Sequence, residues 1–511
     1  MDIEKFERLR PLGRLEQYST ARHDLRFYLH VAITASYMLT LPTTTSTPTD
    51  PQPGVLRTYI YQACARAIGK HPILSAIPVG ENTQSPQFAR LPEIDLEKCV
   101  LFQERQPSTP APDRDRDVEL DELLTIQHNT PFEPPDPFWR LCILTNLNPT
   151  SNDRYRFTAA FVFHHALGDG TSGMVFHRTF HEALSQVLTT SSSSAAYKDL
   201  STTLKVQSPT TPLLPNVESI HAMPVTIFHL LSILFREKIW SPPRDPGLWT
   251  GSKILTPLVN NVRHFAFSRS ETTAFKDLCR ANGTTITAAL QTLVAGALFS
   301  SLPDNWTKLE CRGALSARRW LADAHIDDDS MGVWIQDLNE RYLRDEFQTD
   351  QIAKTLCLLP WNEARRSRRT MEQTLALKGQ NAGPNLLKYV DDFQKELFLS
   401  KVGKERGSSY EVSNLGVFKS KSSPKGEEVQ RTDKGEGRAE AEVGRMIFTQ
   451  SANVTGSAFE VSVVTGQDGC LVLGVSWQKD VVEDTLIEKV IDAVKMEVRR
   501  LETAAASRST D

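Results

Sequence analysis

The 511-residue chain lacks the markers of several large protein classes. Its seven cysteines, Cys64, Cys99, Cys142, Cys279, Cys311, Cys357 and Cys470, are odd in number, and no two stand at C-x-x-C spacing. This argues against a disulfide scaffold and a thiolate zinc site, and a reducing, cytoplasmic setting is expected. No H-E-x-x-H or other third-ligand pattern stands near a histidine pair, so no metal is expected. No apolar run approaches the roughly 20 residues that span a bilayer, and the longest candidate, Val225–Phe235, is about half that length. It contains His229 and Ser232. It reads as a helix packed on the protein, with contact at a membrane or lipid-droplet surface as the alternative. Met1 to Lys5 is charged and has no apolar signal segment. An excess of positive charge is missing as well: 58 basic residues face 62 acidic ones, for a net charge of -4. Nucleic acid is therefore not an expected partner. A local basic patch for a phosphorylated co-substrate stays open.

Apolar residues make up 40% of the chain, which is lean for a globular protein and implies polar insertions. The stretches 42–53 and 105–117 read as loops, and 189–217 reads as a Ser/Thr/Pro-rich linker with little structure. The charged stretch 419–442 reads as a solvated insertion. These divisions give an N-terminal unit over 1–188 and a C-terminal unit over 218–511.

Both units mix strands with helices. In the first, Val31–Leu39, Arg140–Thr145 and Arg156–His164 read as strands, and Thr171–Leu188 as a helix. In the second, Val262–Ser268 reads as a strand, followed by helices over Glu271–Ala281 and Thr285–Ser300. The latter is apolar almost all round and is expected to be buried. Strands near 444–452, 457–464 and 470–478 precede a last helix near 481–502, with Asp468-Gly469 as a turn. The class is α/β or α+β, with a mixed sheet and packed helices in each unit.

The segment with chemistry in it is Phe163-His164-His165-Ala166-Leu167-Gly168-Asp169-Gly170. Adjacent residues of a strand point to opposite faces, so one imidazole can face a cavity while the other packs inside. Gly168 and Gly170 would free the backbone of the turn that follows. A bare H-x-x-x-D is weak, but H-H-x-x-x-D-G arises by chance on the order of once per thousand such chains. His and Asp are also metal ligands, but no third ligand is near. Asp327-Asp328-Asp329 reads as a solvated loop.

This motif, in a chain of this size, resembles the CoA-dependent acyltransferase superfamily of chloramphenicol acetyltransferase, the plant BAHD enzymes and nonribosomal condensation domains. The chain is more similar to the fungal alcohol acetyltransferase family. Arg10-Pro11-Leu12-Gly13-Arg14-Leu15-Glu16-Gln17-Tyr18-Ser19-Thr20-Ala21-Arg22-His23 looks like that family's opening. His71-Pro72-Ile73-Leu74, Phe138-Trp139-Arg140-Leu141 and Ser413-Asn414-Leu415-Gly416 look like later parts of it. The resemblance covers about residues 6 to 500, apart from the insertions, and the D-F-G-W-G motif of the plant enzymes is absent.

The resemblance implies two chloramphenicol-acetyltransferase-like domains with an active-site channel at their interface. It implies His165 as general base, with Asp169 structural and paired to an arginine, Arg22 being preferred over Arg14. His164 and Gly170 would complete the motif structurally. Asn414 would lie at the channel, and Ser451 is a candidate oxyanion or acceptor group. Arg318, Arg319, Lys401 and Lys404 are candidates for the phosphates of CoA. The implied reaction is O-acetylation of a small alcohol by acetyl-CoA as co-substrate, with no bound cofactor and a monomeric enzyme. Acetylation of an amine, condensation-type chemistry and a non-catalytic binding protein on the same fold are the alternatives.

The chemistry agrees with the leading reading. An alcohol needs a base to attack a thioester, and an imidazole can take its proton and return it to the departing thiolate. No G-x-S-x-G elbow or recognisable cysteine nucleophile is present, so direct transfer in a ternary complex is expected.

Overall fold

In the computed structural model, residues 3–41, 54–106, 115–145, 154–191, 204–238, 240, 243–350, 355–420 and 440–508 are described. The loop 42–53 and parts of the other three predicted insertions lie outside these residues. Two large sheets organise the chain. Their strands are β1 (His30–Thr40), β2 (Val100–Glu104), β3 (Trp139–Thr145), β4 (Arg154–His164), β5 (Asn260–Ala266), β6 (Lys308–Ser316), β7 (Ile335–Leu343), β8 (Tyr410–Val417), β9 (Glu440–Gln450), β10 (Phe459–Thr465) and β11 (Leu471–Gln478). The helices that matter most are α1 (Arg14–Asp24), α2 (Gly54–Lys70), α3 (Gly170–Ser191), α4 (Arg269–Ala281), α5 (Ile286–Ser301) and α6 (Asp484–Arg508).

The first sheet has the order β9-β1-β4-β3-β2 and the second β5-β11-β10-β8-β6-β7. Both mix parallel and antiparallel pairs. The division at 189–217 therefore needs correction in one respect. β9 comes from the C-terminal unit but pairs antiparallel with β1 of the first sheet, Phe448 opposite Ile33. Its Met446, Ile447 and Phe448 are buried in the core of the first domain, and hydrophobic burial at that edge gives the strand its place.

The predicted linker is also more ordered than its composition suggests. Lys205–Gln207 pairs with Glu93–Asp95, and Asn216 caps the short helix Val217–Ile220. Trp334 Nε1 donates to the Pro215 carbonyl at 3.3 Å, so this stretch straps the two units together. Backbone pairing supplies an order that the local sequence does not encode.

The elements follow local rules. Ser268 and Glu271 form a reciprocal capping box at the start of α4, with Ser268 N–H donating to Glu271 at 2.6 Å. α5 has an uninterrupted buried run from Ala288 to Phe299, as its all-round apolar character predicts. Gly469 sits at φ +78° in the turn before β11, where a glycine avoids steric strain. A third apolar cluster joins the two units: Leu15 and Phe27 meet Trp334, Phe393 and Phe398.

The helix over Ile227–Lys238 differs from its expected packing. Ile227, Phe228, Leu231, Leu234 and Phe235 are exposed, Phe228 by 83%. Among the described residues no single helix is long and apolar enough to cross a membrane.

Candidate active site

β4 runs out of the first core directly into the histidine pair. His164 is its last residue and pairs in register with His30 of β1. The alternation of the strand then separates the two rings. His164 is fully buried against Phe138 and His23, whose ring centroid lies 4.5 Å away in an edge-on arrangement. His165 is only half-buried, with its ring 5.7 Å from that of Tyr28.

The hydrogen bonds of the inner ring fix its proton. Ala166 N–H donates to His164 Nδ1 at 3.0 Å, so the neutral ring carries its proton on Nε2, which faces Glu81 Oε1 at 3.3 Å. Phe132 N–H donates to His23 Nε2 at 3.3 Å, so His23 Nδ1 carries the proton and donates to Glu81 Oε2 at 3.1 Å. Glu81 thus accepts from His23 and stands beside His164. Burial opposes its ionisation, but the two histidines outweigh it and draw the carboxyl down to about 2. The group His23, Glu81 and His164 has metal-like spacing. Its chemistry does not fit a metal, because each imidazole nitrogen facing Glu81 already holds a proton. Glu81 and His23 were not singled out in the sequence; their partners are distant in the chain. A cavity of about 150 Å³ between α1, the 81–86 turn and the 391–395 segment reaches Glu81.

The outer ring has different surroundings. His165 Nδ1 is buried and makes no hydrogen bond to a neighbouring residue. Burial, followed by the charge of Arg22, pushes the His165 imidazole down to about 4, so it is uncharged at neutral pH.

Asp169 does not pair with Arg22 or Arg14. Arg318, from the other domain, takes it in a bidentate grip, Nη1 to Oδ2 at 2.6 Å and Nη2 to Oδ1 at 3.0 Å. Both side chains are almost wholly buried. Ser172 N–H and Oγ each donate to Asp169 Oδ1 at 3.1 Å, and Trp334 N–H donates to Oδ2 at 3.3 Å. Asp169 N–H donates to the Gly332 carbonyl at 3.1 Å. The carboxylate therefore caps α3 and bolts the turn after β4 to the 330–334 segment. It also removes Arg318 from the candidates for CoA, whereas Arg319, Lys401 and Lys404 are exposed. Arg178 of α3 lies 3.3 Å from Asp329, so the acidic run 327–329 is a domain contact as well as a surface loop.

Arg22 sits elsewhere, stacked 4.3 Å from the Tyr18 ring centroid and 4.2 Å from that of Tyr28. Arg14 lies over Phe393 and donates to the Val390 carbonyl. The resemblance pointed to these two arginines; the bidentate partner comes from a segment about 150 residues away that only the fold brings in.

Other expectations change too. Gly168 and Gly170 do not adopt positive φ. They are needed for space: a Cβ on Gly168 would lie 2.5 Å from Ser172 Cβ, and one on Gly170 would lie 2.6 Å from a Leu415 methyl. Asn414 does not offer its amide to the channel. It donates to Thr287 Oγ1 at 3.0 Å and accepts from Gly416 N–H at 2.8 Å, on the face away from Leu415. The Ser451 hydroxyl is buried, 3.2 Å from Asn260 Oδ1 and 2.9 Å from the Ala452 carbonyl, so it is not available to an oxyanion.

A neutral imidazole at a strand end, a turn held by an interdomain ion pair and two domains around it define an acyltransferase of the condensation-type fold. The family model described as alcohol acetyltransferase matches residues 111–496, and the chain belongs to this family. It is 34% identical over 490 residues to the Aspergillus fumigatus protein named "Probable alcohol acetyltransferase crmB", covering 94% of this chain and 97% of that one. It is 25% identical to the Fusarium pseudograminearum protein named "Probable alcohol acetyltransferase FCK4", covering 96% and 94%. Its fold is similar to that of TRI3 trichothecene 15-O-acetyltransferase from Fusarium sporotrichioides, with a TM-score of 0.64, 14% identity and coverage of 96% and 94%. It is also similar to the first condensation domain of the calcium-dependent antibiotic synthetase, with a TM-score of 0.57, 13% identity and coverage of 98% and 96%.

Proposed function

We propose that this acyltransferase is an alcohol O-acetyltransferase that uses acetyl-CoA as co-substrate and His165 as general base. The observation that carries the reading is the His165 imidazole, uncharged at neutral pH and presented at the end of β4 beside a locked turn. His165 takes the proton of the acceptor hydroxyl as its oxygen attacks the thioester carbonyl. The nearby Arg22 charge disfavours imidazolium until the carbonyl oxygen becomes negative, so proton transfer and attack proceed together. Collapse of the intermediate releases CoA thiolate, which recovers the proton from His165. Each step involves one imidazole and two bound substrates, so no acyl-enzyme is required.

Purified protein incubated with acetyl-CoA and a panel of alcohols and amines should release free thiol with alcohols, and His165→Ala should remove most of the release. Initial rates should give intersecting double-reciprocal lines. Thiol release with amines alone would make the enzyme an N-acetyltransferase. No release with any acceptor would favour a binding protein, and parallel lines with acetyl retained on denatured protein would reveal a nucleophile.

We further infer, from the exposed apolar residues of Ile227–Lys238, that the enzyme touches a membrane or lipid-droplet surface. Flotation with neutral phospholipid vesicles should carry the protein upward, and Phe228→Asp should leave it at the bottom. Equal flotation of the two proteins would remove this inference.

A further inference from the structure

The second sheet has two faces of different character. Val461, Val463, Leu473 and Val475 point into the core of the second domain. On the opposite face, Val464 and Val472 join the core of the first domain, so this face is turned toward the domain boundary. By alternation it also carries Glu411 and Ser413 of β8, Glu460 and Ser462 of β10, and Ser476 of β11. Register confirms the grouping: Glu411 stands beside Glu460, Ser413 beside Ser462, and Glu460 beside Ser476. Leu415, next in this row of β8, packs on Gly170 of the histidine motif.

Part of this polar face is buried and unpaired, while Ser413 Oγ donates to Glu411 Oε1 at 3.0 Å. Glu460 is 2% exposed, and neither of its carboxyl oxygens accepts from an N–H or a serine hydroxyl among the described residues. Ser462 and Ser476 are fully buried, and their hydroxyls have no partner. Gln450 Nε2, at the end of β9, is likewise unpartnered, while its Oε1 accepts from Tyr28 Oη at 3.3 Å. Tyr28 in turn lies against His165. Burial first, then the charge of Glu411 and a hydrogen bond shared with it, hold the Glu460 carboxyl well above the usual carboxylate range. The charges of Arg22 and Arg406 act on it without either forming an ion pair with it.

Buried hydroxyls and an amide without partners, grouped with a buried acid at one domain boundary, are groups that a ligand can satisfy. We propose that the face formed by Glu460, Ser462, Ser476 and Gln450 is the acceptor subsite, and that the acceptor is an uncharged alcohol with a second hydroxyl or N–H. The inference rests on the transferase reading and names its substrate class. A plain alkanol would leave these groups unpaired, and the charges of the two guanidinium groups disfavour a cation. The amide N–H groups of an acyl-CoA arm offer the same chemistry, so the test separates the two sources.

Hexan-1-ol and hexane-1,2-diol serve as probes for the wild-type protein, Glu460→Leu and Glu460→Gln. Calorimetric titration needs no turnover, so it stands whether or not the transferase reading holds. The diol should bind at least about 10-fold more tightly than the alkanol to wild type, because the alkanol leaves buried polar groups unpaired. Glu460→Leu should bring the two probes close to parity, and Glu460→Gln should keep part of the preference. Where turnover is seen, KM for the diol should rise in Glu460→Leu while KM for acetyl-CoA does not. Equal binding of both probes by wild type would overturn the proposal. So would a rise confined to acetyl-CoA, which would assign the face to the pantetheine arm.

Discussion

Asp169 and Glu460 are both acidic side chains buried at the domain boundary, and their surroundings are opposite. Asp169 receives two bonds from Arg318, two from Ser172 and one from Trp334. Glu460 feels the charges of two arginines, yet neither bonds to it, and the group beside it in the sheet is another carboxyl, Glu411. A buried charge whose bonds are all made is a fastener; a buried polar group left with open bonds is a receptor. His164 and His165 also differ within one dipeptide. The inner ring is fully buried, takes a bond from Ala166 N–H and stands 3.3 Å from Glu81, while the outer one is half-buried beside Tyr28.

The largest way to sharpen the contrast is His165→Ala, which should lower kcat/KM by roughly 10²- to 10⁴-fold while leaving the unfolding midpoint near wild type. The acid limb of kcat/KM should also lie near pH 4 instead of near 6.5, because the free imidazole is held at about 4. A limb near 6.5 would show that His165 is not shielded in this way.

Breaking the fastener comes next. Arg318→Ala leaves the Asp169 carboxylate buried and alone, and should cost about 3–5 kcal/mol in urea unfolding. A triad-like structure with Asp169 turned to the His165 ring would contradict the assignment.

His164→Ala should cost about 1–3 kcal/mol by leaving the Ala166 N–H and Glu81 short of partners, and should harm activity less than His165→Ala. Its pH signature has a definite sign. The folded ring is lowered from 6.5 to about 4, mainly by burial and then by His23. The unfolded chain therefore binds more protons between these values, and stability falls as pH drops from about 6.5 toward 4. The His164→Ala variant should show a shallower fall over this window, measured by the unfolding midpoint against pH.

The smallest effects test the receptor side. Glu460→Leu should change stability by no more than about 1 kcal/mol, or raise it, since a buried acid is replaced by an apolar group. A loss as large as that of Arg318→Ala would mean that Glu460 is also a fastener. Ser451→Ala should leave kcat unchanged, because that hydroxyl is already engaged with Asn260.

Much of this was legible in the sequence where the signal is local. β4, α3, α4, α5 and the Asp468-Gly469 turn follow from periodicity, caps and turn residues. The histidine motif was legible for the same reason: strand alternation separates His164 from His165 without any tertiary information. Pairings across long separations were not legible. Arg318 follows Asp169 by 149 residues, and Glu81 lies 83 residues before His164.

The C-terminal strands mark the boundary between the two kinds of knowledge. The sequence determines that β9, β10 and β11 are strands, because apolar and β-branched residues there exceed what a loop would carry. It does not determine that β9 leaves its neighbours to complete the other sheet, since strand pairing depends on which buried edge is open. The proposed base is likewise local, marked by seven consecutive residues. The fastener that holds it and the polar face opposite it were decided only when the tertiary structure brought two sheets together, because both are made of side chains from distant parts of the chain.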